Sequence, residues 1–412
     1  MTSALLINPT AMEAGLISAA RARKSAGAAQ HAAFDRFARM GLPHRRVEGW
    51  KWSDFRAALR KELPPAQTPS ALAASPFAAL DPIEIRIVDG APEIFDCEEI
   101  NGVRIYSTEP AAASEYLDDH AIVALNAAMA RAALAIVVED GASIERPILI
   151  RHIATGGTAF SQARIKLGKD ANAVFIETYE IREHAFLSAV NHLSAGARAN
   201  IAHYVMQTGD AESVVDGVFA IRLAAGATLE QTGVAFGGAL ARLETHMHYA
   251  GPGAAARLGS VALLSGRRHG DFTSRIWHAS PECETRQLHR AALAGEARGV
   301  FQGKFRVERG ADKTDANMTA NALLLSDKAE ADHKPELEIY ADDVQCAHGS
   351  TVGALDEDAL FYLRQRGLDE HAARALLIEA FVGEAIDGVS RENVRNVIRE
   401  SVEAWLELGG AP

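Results

Sequence analysis

The corners Gly141-Ala142-Ser143, Gly168-Lys169-Asp170-Ala171, Gly196-Ala197-Arg198, Gly226-Ala227-Thr228 and Gly253-Ala254-Ala255 decide the fold, because their leading glycines follow one another at 27, 28, 30 and 27 residues. Between them run short segments such as Ala173-Val174-Phe175-Ile176-Glu177-Thr178-Tyr179 and Ala199-Asn200-Ile201-Ala202-His203-Tyr204-Val205. These are rich in β-branched and aromatic residues and are bounded by Gly, Ala, Asp or Asn, the composition of strands. A further pair, Gly310-Ala311, stands 57 residues past Gly253, close to two periods, with Ser280-Pro281 near the point between them. Strands that recur at such a period without intervening helices stack as coils, each burying its inward side chains against its neighbours. The spacing predicts a parallel β-helix. A sandwich or barrel would need tight hairpin signals between consecutive strands throughout, and only Asp89-Gly90, Asn101-Gly102, Asp140-Gly141, Asp216-Gly217 and Asp387-Gly388 occur.

Outward from this repeat the texture changes on both sides. From about Leu16 to Arg60 the chain carries helix formers, with Leu16, Ala19, Ala20, Phe34, Phe37 and Met40 at three-to-four spacing. Pro64, Pro65, Pro69 and Pro76 then mark a linker, since proline is excluded from helix interiors. After the repeat, Asp356 to Gly367, Asp369 to about Gly388 and Ser390 to Leu408 read as helices, with Asp356, Asp369 and Ser390 as N-caps and Gly367, Gly388 and Gly409 as C-terminal stops. In the middle helix Leu376, Leu377, Ala380, Phe381 and Ala385 form an apolar stripe that suits either packing on the β-helix or a face for a partner. The expected organisation is a helical segment and linker over 1–80, a mixed α/β segment over 81–140, a parallel β-helix over 141–355 and a helical domain over 356–412.

Composition narrows the function. Lys and Arg number 42 against 54 Asp and Glu, a formal charge of -12, so no global basic field exists to hold nucleic acid or an anionic membrane. Three widely spaced cysteines, Cys97, Cys283 and Cys346, make no disulfide framework, and the start lacks the ordered regions of a secretory signal. No uninterrupted apolar run of membrane-spanning length occurs. A soluble, cytoplasmic protein is expected. A phosphate loop is absent, because Gly299-Val300-Phe301-Gln302-Gly303-Lys304-Phe305 has the wrong spacing and no hydroxyl after its lysine. Neither a G-x-S-x-G elbow nor an H-E-x-x-H or C-x-x-C motif is present, so no enzyme class gains support.

The densest set of potential ligands is Asp332-His333-Lys334-Pro335-Glu336-Leu337-Glu338 followed by Asp342-Asp343-Val344-Gln345-Cys346-Ala347-His348-Gly349. On a strand Cys346 and His348 point the same way, a thiol and an imidazole suited to iron or zinc. The same residues also read as a buried thiol and a hydrogen-bonded histidine. His246 and His248 share a face as well, and His269, His278 and His289 follow, all consistent with polar coil positions. Cys97 and Cys283 read as core residues. Trp50 and Trp52 read as anchors of the helical segment on the body.

The stretch Lys334-Pro335-Glu336-Leu337-Glu338-Ile339-Tyr340-Ala341-Asp342-Asp343-Val344-Gln345-Cys346-Ala347-His348-Gly349-Ser350-Thr351-Val352-Gly353, continued by Leu355 to Gly367, resembles the SufD branch of the SufB/SufD family of iron–sulfur cluster assembly scaffolds. Looser similarity reaches Asn317 to Asp327 and the Trp50 region. The resemblance implies a right-handed parallel β-helix flanked by N- and C-terminal helical segments, and a non-catalytic scaffold that binds no nucleotide. It implies pairing with SufB along the β-helix, or a homodimer in isolation, and binding of the SufC ATPase through the C-terminal helices. Asp356, Leu360, Phe361, Tyr362, Arg366, Leu376 and Phe381 are then candidate SufC-binding residues. His348, and next to it Cys346, are candidates to hold transient iron or a nascent Fe–S cluster at the SufB interface. The alternative within the family is a SufB-like paralogue, but such chains place a cysteine after an Asp-Lys pair, and here Asp327-Lys328 is followed by Ala329. A β-helix polysaccharide-active enzyme using Asp342 and Asp343 is a reading from a different class. Neighbouring strand residues point to opposite faces, so that pair does not converge on one bond.

Overall fold

The computed structural model describes residues 8–23, 27–64, 66, 72–94, 100–110, 117, 119–182 and 184–410. Cys97, Pro65 and Pro69 lie outside them. Among the described residues two sheets, of ten and nine strands, take successive strands alternately, so that one coil contributes one strand to each. Pairing is parallel from coil to coil, as in the register Glu177–Val205–Gly233–Ser260–His289. Only the two strand pairs at the N-terminal end, Ile83–Val88 with Ala91–Glu93 and Val103–Thr108 with Ala133–Val138, are antiparallel. This is the parallel β-helix that the repeat predicts. Its sheets start earlier than residue 141, because Ile83–Val88 pairs with Ile148–Ala154.

Alternate residues of every strand face inward and fill the space between the sheets with Phe175, Leu187, Phe219, Met247, Phe301, Phe305 and many alanines. Each coil leaves its inward residues half covered until the next coil stacks on them, so stability comes from neighbour contacts. A fully buried side chain such as Phe301 contributes roughly 1.5–3 kcal/mol in this way.

The period has a backbone cause. Gly141, Asp170, Arg198, Gly226, Gly253, Glu282 and Lys313 all have φ between 55° and 70° and form one corner of the β-helix, at spacings of 29, 28, 28, 27, 29 and 31 residues. From Gly141 to Lys313 each donates its N–H to the carbonyl just before the equivalent residue of the next coil, or for Lys313 to Asp343, at 2.5–3.2 Å. Glycine is thus present at only some rungs. Gly168 and Gly196, which set the period in the sequence, stand two residues before the left-handed rung and serve close approach instead. A Cβ on Gly196 would lie 2.6 Å from the Gly168 carbonyl carbon, whereas one on Gly253 would meet nothing within 4 Å. Gly253→Ala therefore isolates the left-handed strain and is expected to cost about 1 kcal/mol. Gly196→Ala forces two coils apart and should lower the thermal midpoint by more, as differential scanning calorimetry of the two variants will read.

Helices cover both outer faces. Ala11–Ala22 begins with a capping box in which Thr10 and Glu13 satisfy each other's backbone N–H. Together with Ala28–Met40 and Ala121–Met129 it lies over the nine-stranded sheet, where Phe37, Trp50, Phe55 and Leu125 pack on Phe160, Phe186, Val214 and Leu240. On the other sheet sit Glu357–Gln365, Glu370–Ile386 and Glu392–Trp405. Asp356 and Asp369 cap the first two of these helices. Ser390 does not cap the third: its N–H is taken by Glu230 of the β-helix, and the N-cap falls on Arg391, so a tertiary bond overrides the local preference. Gly367 adopts the left-handed stop expected of it, with φ 95°. Gly388 does not, and the second helix ends on Asp387 in a right-handed conformation. No helix among the described residues is long and apolar enough to cross a membrane.

Candidate functional site

At the C-terminal end each sheet stops at a strand paired on one side only, Glu330–Ile339 on one wall and Val344–Gly353 on the other. Edge strands expose unmet N–H and C=O groups and are commonly blunted by charge or proline. Glu330–Ile339 is blunted in that way, since Glu330, Asp332, Lys334, Glu336 and Glu338 alternate along it and Pro335 lacks a donor. Val344–Gly353 carries no Lys, Glu, Asp or Pro. Its edge is open to pairing.

On this open strand Cys346 lies beside Ala316 and His348 beside Met318, both on the inward side. Cys346 is half-buried against the core, and burial pushes its thiol up. His348 is exposed. His333, from the facing wall, turns inward beside His289 and Phe301, with ring centroids 6.0 and 6.2 Å away. Ala329 precedes that wall, nine-tenths buried, and offers no thiol. Asp342 and Asp343 sit exposed in the bend between the two last strands rather than within a strand as the alternation argument assumed.

The residues named from the C-terminal helices divide by exposure. Phe361, Tyr362 and Leu376 are exposed at 64%, 57% and 45%, a concentration of large apolar groups unusual for an outer surface. Arg366 places its guanidinium 5.1 Å from the Tyr362 ring. Leu360 is buried, Phe381 is half-buried under Arg290, and Asp356 is engaged as a cap. The seat of the middle helix is made by Ala373, Ile378, Val382, Ala385 and Ile386, so of the stripe read from sequence Leu376 and Ala380 face outward instead.

Two buried histidine–carboxylate networks escaped the sequence reading as functional groups. In the first, Glu244 accepts from His120 Nε2 at 2.9 Å, His246 Nε2 at 3.1 Å and Arg242 Nε at 2.7 Å. Arg242 also reaches Asp271 at 2.6 Å and lies 4.0 Å under the Trp50 ring. Ser53 donates to Asp271 from the same side, so Trp50, Ser53 and His120 fasten the N-terminal helices to the sheet. Trp52 packs instead under the Lys51 ammonium. Two histidines and a carboxylate within 4.8 Å form a metal-like triad. The proton positions oppose that use. His120 caps its helix by accepting the Val123 N–H on Nδ1, so its proton is on Nε2 and points at Glu244. Burial lowers His246 to about 4, leaving it a neutral donor. The triad is a hydrogen-bond network centred on Glu244, with His246 Nδ1 left buried and without a partner among the described residues. Asp216 beside it is fully buried with no partner on either oxygen, and burial followed by the Glu244 charge pushes its carboxyl well up.

In the second network, inside the β-helix, Glu177 accepts from His152 Nε2, His203 Nε2 and Tyr179 at 3.0 Å each and from Asn191 at 2.7 Å. Ser161 binds His152 Nδ1 at 2.7 Å, and Gln231 donates to His203 Nδ1 at 3.0 Å while accepting from Thr245 at 2.8 Å. The amide fixes the His203 proton on Nε2, so the dipoles of this branch converge on Glu177. Its members are inward residues of different coils. The visible signal is only that histidine, asparagine and glutamine occupy core positions of β-prone segments.

The family model described as SUF system FeS cluster assembly, SufBD core domain, matches residues 149–381. The chain is 30% identical over 417 residues to the iron–sulfur cluster assembly protein SufD of Escherichia coli (strain K12), covering 96% of each. It is 33% identical over 217 residues to an iron–sulfur cluster assembly SufBD family protein of Synechocystis sp., covering 53% of this chain and 48% of that one. A chloroplastic protein of Arabidopsis thaliana, ABCI7, is 29% identical over 289 residues, covering 66% of this chain and 60% of its own length.

Proposed function

Because the chain belongs to the SufB/SufD family and is a SufD-type iron–sulfur cluster assembly protein, we propose that it acts there as a non-catalytic scaffold subunit in the cytoplasm. In this reading it pairs with SufB through its open β-helix end and binds the SufC ATPase through its C-terminal helices. His348, with Cys346 beside it, offers a ligand for iron or a nascent cluster at the SufB interface. Iron and cluster are cargo here, and this chain binds no nucleotide.

The observation that carries the reading is the uncharged edge strand Val344–Gly353, which joins an exposed imidazole to a backbone ready for pairing. Strand addition to such an edge gives affinity through main-chain bonds and brings the partner's side chains within reach of Cys346 and His348. The exposed Phe361, Tyr362 and Leu376 support a second contact. Ala329 disfavours a SufB-like role, since the position supplies no nucleophile. The pair that a polysaccharide-active role would use, Asp342 and Asp343, lies exposed in a bend and lines no strand face.

The test is co-purification of the tagged chain from cells that co-express SufB and SufC, with iron and sulfide assayed in the product. Recovery of both partners is expected, with the chain alone forming at most a homodimer. Failure to retain either partner would remove the scaffold assignment.

A further inference from the structure

A line of side-chain hydrogen bonds crosses the outer face of the ten-stranded sheet from the middle C-terminal helix to the open edge. Arg290 on the strand Glu284–Leu293 donates to Glu384 of the helix Glu370–Ile386 and, with its other terminal nitrogen, to Asn321 of the strand Thr314–Leu324. Asn321 in turn donates to Thr351 of the edge strand Val344–Gly353. The strand register puts Arg290, Asn321 and Thr351 side by side, so no bend or bulge interrupts the line.

Arg290 is only 8% exposed, lies 5.0 Å from the Phe381 ring of the same helix, and has an Nε without a partner. Its guanidinium is therefore oriented by the two acceptors at its ends. The helix itself rests on Val261, Leu263 and Ala292 through Ile378, Val382 and Ala385, two coils short of the edge. Apolar packing thus seats the helix; the chain connects the strand to the helices through Leu355, itself part of that packing, and the polar line reaches the strand across the sheet face, at Thr351. Thr351 stands three residues past His348, roughly 10 Å along a strand.

We propose that Arg290 and Asn321 are positioning residues that pass movement of the Glu370–Ile386 helix to the Val344–Gly353 strand, so that a partner acting on the helices controls access to Cys346 and His348. This rests on the assembly reading above. When the helix shifts, Glu384 leaves the guanidinium, Arg290 turns toward its remaining acceptor, and Asn321 loses the geometry that holds Thr351. The edge strand is then freer to rotate its inward side chains outward. On this proposal the line has two arrangements, the bonded one seen here and a released one, which is the physical requirement for coupling between sites.

The test uses the assembled complex with SufB and SufC and reads the rate of Cys346 alkylation by iodoacetamide, by peptide mass spectrometry, with and without ATP. Wild-type complex is expected to show a roughly 2- to 30-fold change on ATP addition, the range that side-chain coupling supports. Asn321→Leu is expected to reduce that change to less than about twofold while the complex stays assembled. Thr351→Val removes only the last, exposed bond of the line and should do the same without threatening the fold. A full ATP response in both variants would overturn the link and leave the assembly reading standing. No ATP response in the wild-type complex would overturn the link together with the proposed action of SufC on this chain.

Discussion

Replacement of Glu177 by alanine is expected to lower stability at pH 7 by about 3–5 kcal/mol, the cost of removing one partner from a buried ionic cluster. Four donors from four strands meet this carboxylate, and of these only Asn191 has a second acceptor, the Tyr179 hydroxyl at 2.8 Å. Water cannot serve instead, since Glu177, His152 and His203 are at most 1% exposed. Glu177→Gln keeps the volume but turns one oxygen into a donor among donors, so it should fall between, at about 1–3 kcal/mol. The effect has a pH signature. Burial by itself raises the carboxyl, but the His152 and His203 bonds outweigh it and hold it at about 2. A depressed carboxylate contributes stability that is complete above its unfolded value near 4.5, declines as pH falls, and is gone below about 2. The gap between wild type and Glu177→Ala should accordingly narrow by about 3 kcal/mol between pH 5 and pH 2. Urea midpoints of the two proteins across that range decide it; equal midpoints at pH 7 would mean that the network does not stabilise the coils.

The corner ladder shows why the fold was readable and where reading stopped. Coil length is imposed at one backbone position per turn, and enough of those positions or their close neighbours are glycine to print the period on the sequence. At Asp170, Arg198, Glu282 and Lys313 the same left-handed conformation is taken by charged residues, which is why the apparent anchors slip by two residues. Asp170 pairs with Arg198, and Glu282 with Lys313, at 2.7 and 3.3 Å across adjacent coils, so the rungs lacking glycine carry ion pairs instead. Caps at Asp356 and Asp369 were legible because they depend on residues three apart. Ser390 was not, because its N–H is claimed by Glu230, 160 residues away.

The site divides along the same boundary. Cys346 and His348 could be placed on one face because strand alternation is local. The Glu177 network could not, since most of its members come from different strands; around Glu244, Arg242 and His246 alternate on the same strand, but Asp271 comes from another strand and His120 and Trp50 from elements whose docking has no period. His246 was visible as a histidine on a strand face beside Glu244, yet the other oxygen of that carboxylate is taken by His120, from a distant part of the chain. Sequence spacing finds ligands that share an element; it does not find partners that the β-helix brings together.

His348→Ala is the substitution expected to separate function from fold most sharply. The residue is exposed on the last strand, and removing an exposed side chain outside a cap or network changes stability by no more than about 0.5 kcal/mol. Its proposed work is different in kind. An imidazole can bind iron without first giving up a proton, whereas the half-buried Cys346 thiol is pushed up and must be deprotonated before it can bind. The histidine is thus the readier ligand, and the cysteine follows only once a metal or a partner's base favours its thiolate. Loss of His348 is expected to abolish maturation of iron–sulfur proteins in cells that depend on this chain, with SufB and SufC still retained on purification. Cys346→Ala is expected to reduce maturation less. Activity of an iron–sulfur reporter enzyme in such cells, measured beside the composition of the purified complex, tests both variants. Normal maturation with His348→Ala would take the proposed cargo site away from this strand, while maturation lost together with the partners would assign the histidine to assembly of the interface.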